Sequence, residues 1–298
     1  MKREHFDILI IGAGAAGMAA AAAAEKKGYS RILIAERREE PGGVLLQCTH
    51  NGFGLGFFGE DLTGVEYARR FRDMLSESCA VVRCGTMAVK IFPDRTALLS
   101  GKDGLSEVSF RKCIMACGCR ERTIYSLPVA GTRPSGIMTC GTAQKLMNID
   151  GLDIGDDIII LGTGDVGQII ARQLVQSGRK VITMIEKNHI PGGLKRNREN
   201  CIKAFRIPVM TDSEITCISG AGRINGVYVK HTDTGKEAFL KCSVLLTAIG
   251  MIPERELAEE CFKNTPLPEW LLFAGNCDHV HDIVDSVTSD ALKLESVL

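Results

Sequence analysis

Ile8-Leu9-Ile10-Ile11-Gly12-Ala13-Gly14-Ala15-Ala16-Gly17 decides the fold: four apolar residues run straight into a Gly-x-Gly-x-x-Gly turn, and an alanine-rich stretch follows to Ala24. A short apolar run closed by glycine reads as a buried strand of a parallel sheet. The alanines after the turn read as a helix. In such a unit the first glycine permits the tight turn, the second lets a pyrophosphate approach the backbone, and the third lets helix pack on strand. The helix start then offers unpaired N–H groups and the positive end of its dipole to the phosphates. The next strand, Ile32-Leu33-Ile34-Ala35, leads to Glu36, an acid placed to accept hydrogen bonds from ribose hydroxyls.

The same unit occurs twice. Ile158-Ile159-Ile160-Leu161 enters Gly162-Thr163-Gly164-Asp165-Val166-Gly167, Val181 to Ile185 leads to Glu186, and Pro191-Gly192-Gly193 follows as Pro41-Gly42-Gly43 follows Glu36. Each landmark of the second unit lies 150 residues after its counterpart (12 and 162, 36 and 186, 41 and 191). A single glycine-rich turn arises readily by chance or for packing. Two complete units, with strand, helix and acid in order, predict two dinucleotide sites.

Composition agrees and narrows the class. With 45% hydrophobic and 24% charged residues, the 298-residue chain can bury the cores of two domains. Lys plus Arg and Asp plus Glu balance at 36 each, leaving no global field to attract a polyanion, so nucleic acid is not an expected partner. No apolar run approaches the length of a membrane span, and the start of the chain lacks a signal-peptide pattern, so a cytoplasmic location is expected. The twelve cysteines then read as thiols rather than as a disulfide framework. Neither a CxxC pair nor ligand spacing of a zinc or iron–sulfur site is present, so no metal is expected.

Val108 to Gly118 and Val244 to Gly250 each read as a strand reaching a glycine, marking two crossings between domains. The strand Trp270 to Asn276 and the helix pattern from Asp282 onward are too short for a domain and are expected to complete the first one. The expected fold class is α/β, with two Rossmann-like dinucleotide-binding domains, the second inserted in the first. The expected boundaries are 1–120 with 248–298, and 121–247.

The chain resembles the two-dinucleotide-domain flavoproteins of the pyridine nucleotide-disulfide oxidoreductase superfamily. It departs from them where their dithiols lie: Cys48 has no second cysteine beside it, and Cys140 is followed by Gly141-Thr142-Ala143. Gln47-Cys48-Thr49-His50-Asn51-Gly52-Phe53-Gly54, Gly118-Cys119-Arg120-Glu121-Arg122, Gly141 to Gln144, Gly192 to Asn197, and Gly275-Asn276 with His279 to Asp282 are similar to one subfamily. It accompanies anaerobic glycerol-3-phosphate dehydrogenases and includes subunits of hydrogen cyanide synthase, opine oxidase, and sarcosine or proline dehydrogenases. The resemblance implies an electron-handling subunit without a redox-active disulfide, exchanging hydride between NAD(H) and FAD. A second, amino-acid-oxidase-like flavoprotein dehydrogenase would be its partner, or a second copy in a homodimer.

It further implies FAD on the first unit, against Gly12, Gly14, Ala15, Ala16, Gly17, Glu36, Arg37, Gly43, Val44, Gln47, Ala116, Gly118, Gly275, Asn276, His281 and Asp282. NAD(H) would lie on the second, against Gly162, Gly164, Asp165, Val166, Gly167, Glu186, Lys187 and Gly250. Glu186 should favour a free 2′-hydroxyl over a 2′-phosphate, and so NADH over NADPH, although Lys187, Lys195, Arg196 and Arg198 lie close in sequence. Cys48 and His50 are the candidate catalytic residues; the alternative is local packing. For Asp282 the alternative is a helix cap, and for the run Arg37-Arg38 a solvated charge pair. Two other functions share these features: a stand-alone NADH oxidase or diaphorase, and a non-catalytic FAD/NADH redox-sensing module.

Overall fold

The computed structural model describes residues 2–263 and 265–298. The chain forms two compact units: unit 1 runs from the N-terminal strand through Arg120 and resumes over Ile252–Leu298, and unit 2 is Glu121–Met251.

Unit 1 is built on a sheet whose strand order is 81–83, 32–35, 2–11, 104–115, 96–101, 87–92, with Leu271–Phe273 also paired to the end of 104–115. The pairs 2–11 with 32–35, 32–35 with 81–83, and 104–115 with 2–11 and with 271–273 are all parallel. Ile8 and Ile10 point to one face and Leu9 and Ile11 to the other, and all four are buried. Covered on both faces, the strand has no use for polar residues at alternate positions.

Three helices, Ala15–Lys26, Gly64–Ser76 and Val284–Lys293, share the Ile8/Ile10 face. Small side chains let the first of them lie close against the sheet. The second starts in a capping box: Glu66 N–H donates to Thr63 Oγ1 at 3.2 Å, and Thr63 N–H donates to the Glu66 carboxylate at 2.8 Å. A buried hydrogen bond of 2.7 Å between the Tyr67 and Thr288 hydroxyls joins the second and third helices. The other face is filled around Phe110, Trp270 and Phe262, with the Trp270 ring tilted against Phe110 and meeting Phe262 edge to face.

Unit 2 repeats the plan. Its parallel sheet has the order 137–139, 244–247, 158–161, 181–185, 209–210, with helices Cys140–Asn148 and Asp165–Gln176 packed on it. An antiparallel ribbon of 213–220, 224–231 and 237–241 covers the opposite face around Ile218, Val227 and Leu245. The unit ends later than the sequence indicates, at Met251 rather than at 247. The reason lies in the backbone: Ala248 N–H donates to Leu161 O at 2.7 Å, and Gly250 O accepts from Arg122 N–H at 2.9 Å. Among the described residues no helix is long and apolar enough to cross a membrane.

Candidate dinucleotide sites

In unit 1, Gly12 adopts φ +101°, and a Cβ there would sit 2.5 Å from Ala116 O. A Cβ on Gly17 would fall 1.8 Å from Gly12 O. These two glycines are demanded by backbone against backbone. Gly14 differs, because the nearest atom to its hypothetical Cβ is Gly43 Cα at 4.0 Å. That open side is where the amides of Ala15 and Ala16, which have no carbonyl one turn back, are available to an anion.

Glu36 is 4% exposed; one carboxylate oxygen accepts from Ala13 N–H at 2.7 Å and the other from Arg38 N–H at 2.8 Å. Each oxygen keeps a lone pair, so the carboxylate can still take two ribose hydroxyls. Gly42 N–H donates to Ala13 O at 2.8 Å, laying the Pro-Gly-Gly segment along the turn, and Gly43–Gln47 follows as a 3₁₀ turn with Val44 exposed and Gln47 buried. Arg38 is not the solvated charge the sequence indicates, since its guanidinium donates to Gly43 O at 3.1 Å; Arg37 is exposed.

Cys48 leaves this turn buried, its Sγ 3.4 Å from Val44 O, and a Cβ on Gly64 would lie 2.5 Å from Cys48 Cβ. Burial pushes its thiol up to about 12, leaving a thiolate fraction on the order of 10⁻⁵ at pH 7. A buried thiol held this high lacks the electropositive, partly exposed setting of an activated nucleophile. His50 Nδ1 lies 2.9 Å from Asn51 O, and its ring is 5.1 Å from that of Phe53. Cys48→Ser should therefore leave flavin reduction by NADH within about twofold of the parent, and iodoacetamide should label Cys48 only after unfolding. Rapid inactivation of the native protein with label on Cys48 would contradict this.

The C-terminal segment brings Gly275 to the same turn. Gly275 (φ +58°) is so close to helix Ala15–Lys26 that a Cβ on it would meet Ala16 Cβ at 2.8 Å. Asn276 Oδ1 accepts from His281 N–H at 2.9 Å, and the His279 and His281 rings lie 4.1 Å apart. Ala116 and Gly118 stand at the end of strand 104–115, Ala116 against Gly12 and Gly118 at φ +75°. Asp282 does not cap the last helix: the N-cap is Ile283, without a side-chain bond. Sequence reasoning missed Asp285, whose two oxygens accept from Gly54 N–H at 3.2 Å and Gly56 N–H at 2.7 Å. It borders a cavity of about 470 Å³ shared with Gly56, His281 and Asp290.

Unit 2 has the same backbone cradle. Gly162 (φ +95°) would drive a Cβ to 2.2 Å from Ala248 O, Gly167 would meet Ala248 Cβ at 2.9 Å, and Gly164 is open to 3.8 Å. Its acid is occupied differently. Glu186, 7% exposed, accepts on one oxygen from Thr163 N–H at 3.2 Å and from the Thr163 hydroxyl, and on the other from Asn188 N–H at 3.0 Å and Asn188 Nδ2 at 2.8 Å. The two additional donors are side chains that Ala13 and Arg38 do not provide in unit 1. The Pro191-Gly192-Gly193 segment is strapped to the turn: Gly192 N–H donates to Thr163 Oγ1 at 2.8 Å, and Gln168 Nε2 bridges Thr163 O and Gly192 O at 2.6 and 2.9 Å. Asp165 accepts from Leu194 N–H and Asn197 Nδ2, and Arg198 donates to Gly193 O at 2.6 Å. Val166 is half-buried, Lys187 is exposed, and Gly250 (φ +103°) lies near Arg122.

Both cradles fit a dinucleotide diphosphate, and Glu36 fits a ribose as it stands. Glu186 fits one by exchanging an Asn188 or Thr163 donor for a ribose hydroxyl. Among the described residues no group of three potential ligands could hold a metal ion.

The family model of pyridine nucleotide-disulphide oxidoreductases matches residues 6–265. The chain is 28% identical over 262 residues to a thioredoxin reductase of Mycolicibacterium smegmatis, covering 84% of this chain and 77% of the relative. It is 26% identical over 291 residues to an opine oxidase subunit from Rhizobium meliloti, covering 86% of this chain but only 52% of that relative. Thioredoxin reductase of T. acidophilum superposes with a TM-score of 0.78 at 21% identity, over 99% of this chain and 97% of that one. The chain belongs to the pyridine nucleotide-disulphide oxidoreductase family. It is an oxidoreductase that uses FAD and NAD(P)H.

Proposed function

We propose that unit 1 holds FAD and unit 2 holds NAD(H), and that the chain exchanges hydride between them as the electron-transfer subunit of a multi-subunit dehydrogenase of the glycerol-3-phosphate, amino acid or amine type. FAD accepts a hydride from a nicotinamide and can release the electrons singly or in pairs. Gly14, Ala15 and Ala16 would seat the flavin diphosphate and Glu36 the adenosine ribose, with Gly275 packed beside Ala16. Gly164 to Gly167 would seat the nicotinamide diphosphate. Glu186, a buried carboxylate, disfavours a 2′-phosphate and so favours NADH over NADPH.

The observation that carries the subunit reading is the lack of a suitable dithiol at the two positions where the resemblance leads one to look. Cys48 is buried against Val44 O, and Cys140 is fully buried at the start of its helix with its thiol pushed well up by desolvation. Neither suits thiol–disulfide exchange with a protein substrate. The similarity to the opine oxidase relative points the same way.

Anaerobic titration with NADH should bleach the bound flavin, and affinity purification from the native source should bring down a second flavoprotein. Thioredoxin reduction at a rate matching NADH consumption would overturn the subunit reading. An NADH titration that leaves the flavin oxidised would overturn the hydride exchange itself.

A further inference from the structure

The two glycine turns can be compared residue by residue, because each landmark of the second lies 150 positions after its counterpart in the first. Their glycines meet similar backbone: Gly12 faces Ala116 O, and Gly162 faces Ala248 O. The residues around those glycines differ in kind, since Ala13, Ala15 and Met18 in unit 1 stand where unit 2 has Thr163, Asp165 and Gln168. Thr163 and Gln168 are neutral, fully buried, and bonded to Glu186 and to the Pro191-Gly192-Gly193 segment. Asp165 alone brings a charge.

Asp165 is the first residue of helix Asp165–Gln176, and its amide has no carbonyl one turn back, so the residue that must offer its N–H to a phosphate also carries a carboxylate. The side chain is not left to swing into solvent. One oxygen accepts from Leu194 N–H at 2.8 Å and from Asn197 Nδ2 at 2.7 Å, and a Cβ on Gly193 would lie 2.8 Å from that oxygen and 3.2 Å from Asp165 N. These contacts hold the charge beside the turn. A negative charge fixed there acts twice on an incoming diphosphate: it repels the phosphates directly, and it takes the positive end of the helix dipole that attracts them. Helix Ala15–Lys26 of unit 1 has no acid in its first turn.

We infer that Asp165 weakens the hold of the second cradle on a dinucleotide diphosphate, which makes NAD(H) a ligand that leaves while the flavin stays. Asn197 is a positioning residue, acting through Asp165 by keeping the carboxylate at the turn. The inference rests on the assignment of FAD to unit 1 and NAD(H) to unit 2.

The test is isothermal titration of the oxidised, flavin-loaded protein with NAD+ at low and at high ionic strength. Asp165→Asn removes the charge but keeps an oxygen for Leu194 N–H; it should bind NAD+ about tenfold more tightly at low ionic strength, with the gain shrinking as salt is added. Adenosine, titrated as a competitor, lacks the diphosphate and should bind parent and variant alike. Asn197→Ala keeps the charge while freeing the carboxylate to turn outward, so its gain should be smaller, about twofold. Unchanged or weaker NAD+ binding in Asp165→Asn, a gain that salt does not diminish, an equal gain for adenosine, or an equal gain in Asn197→Ala would each overturn the inference. Failure of the assignment itself has a different signature, namely NAD+ binding that Glu186→Ala leaves intact.

Discussion

Replacing Gly17 by alanine should give a protein without bound flavin and with unit 1 destabilised by roughly 3 kcal/mol or more. The added methyl carbon would lie 1.8 Å from Gly12 O, and neither backbone can retreat: Gly12 N–H is bonded to Ala35 O at 2.9 Å, and Gly12 already lies against Ala116 O. Helix Ala15–Lys26 would have to lift from the sheet, carrying the cradle with it. Gly14→Ala is the matched control. Its methyl meets nothing closer than 4.0 Å, so stability should change by less than about 1 kcal/mol, while flavin affinity falls because the methyl stands where the diphosphate approaches. Thermal unfolding and the flavin-to-protein absorbance ratio report the two effects separately. Normal flavin content in Gly17→Ala would refute the packing argument, and undiminished affinity in Gly14→Ala would refute the placement of the diphosphate.

Glu186 should give the second large effect. Deleting its carboxylate strands the buried N–H and hydroxyl of Thr163, while the donors of exposed Asn188 can turn to water, so Glu186→Ala should cost about 2 kcal/mol in the stability of unit 2 and abolish NADH binding. Asn188→Ala should act in the opposite sense on affinity. Freed of Asn188 Nδ2, one oxygen of Glu186 can take a ribose hydroxyl without competition, and NADH should bind about fivefold more tightly, the equivalent of about 1 kcal/mol. Isothermal titration of the flavin-loaded protein with NADH measures both. Weaker binding in Asn188→Ala would mean that the side chain helps to hold the nucleotide instead of competing with it.

The features legible in the sequence were those dictated by backbone sterics. Gly12, Gly17 and Gly162 are glycines because a carbonyl occupies the space of a side chain, and that requirement leaves a fixed spacing whatever the rest of the chain does. The acids and the Pro-Gly-Gly segments were legible for the same reason, each being tied to the turn by local geometry. What could not be read depends on pairings across long stretches of chain. The grip of Asp285 on Gly54 and Gly56 joins residues that only the closed sheet brings together. The saturation of Glu186 is local, but it turns on rotamers of Thr163 and Asn188 that no spacing reveals. The second boundary was placed too early because strand 244–247 continues its backbone bonds through Ala248 into Gly250.

The strand Leu271–Phe273 closes on Cys113–Met115 from the far side of the whole of unit 2. As the nascent chain leaves the ribosome, the first glycine turn is therefore made early and finished late. Unit 2 is contiguous and can fold while unit 1 still lacks an edge strand and the residues around Gly275. The first turn is thus completed only after unit 2 has been made.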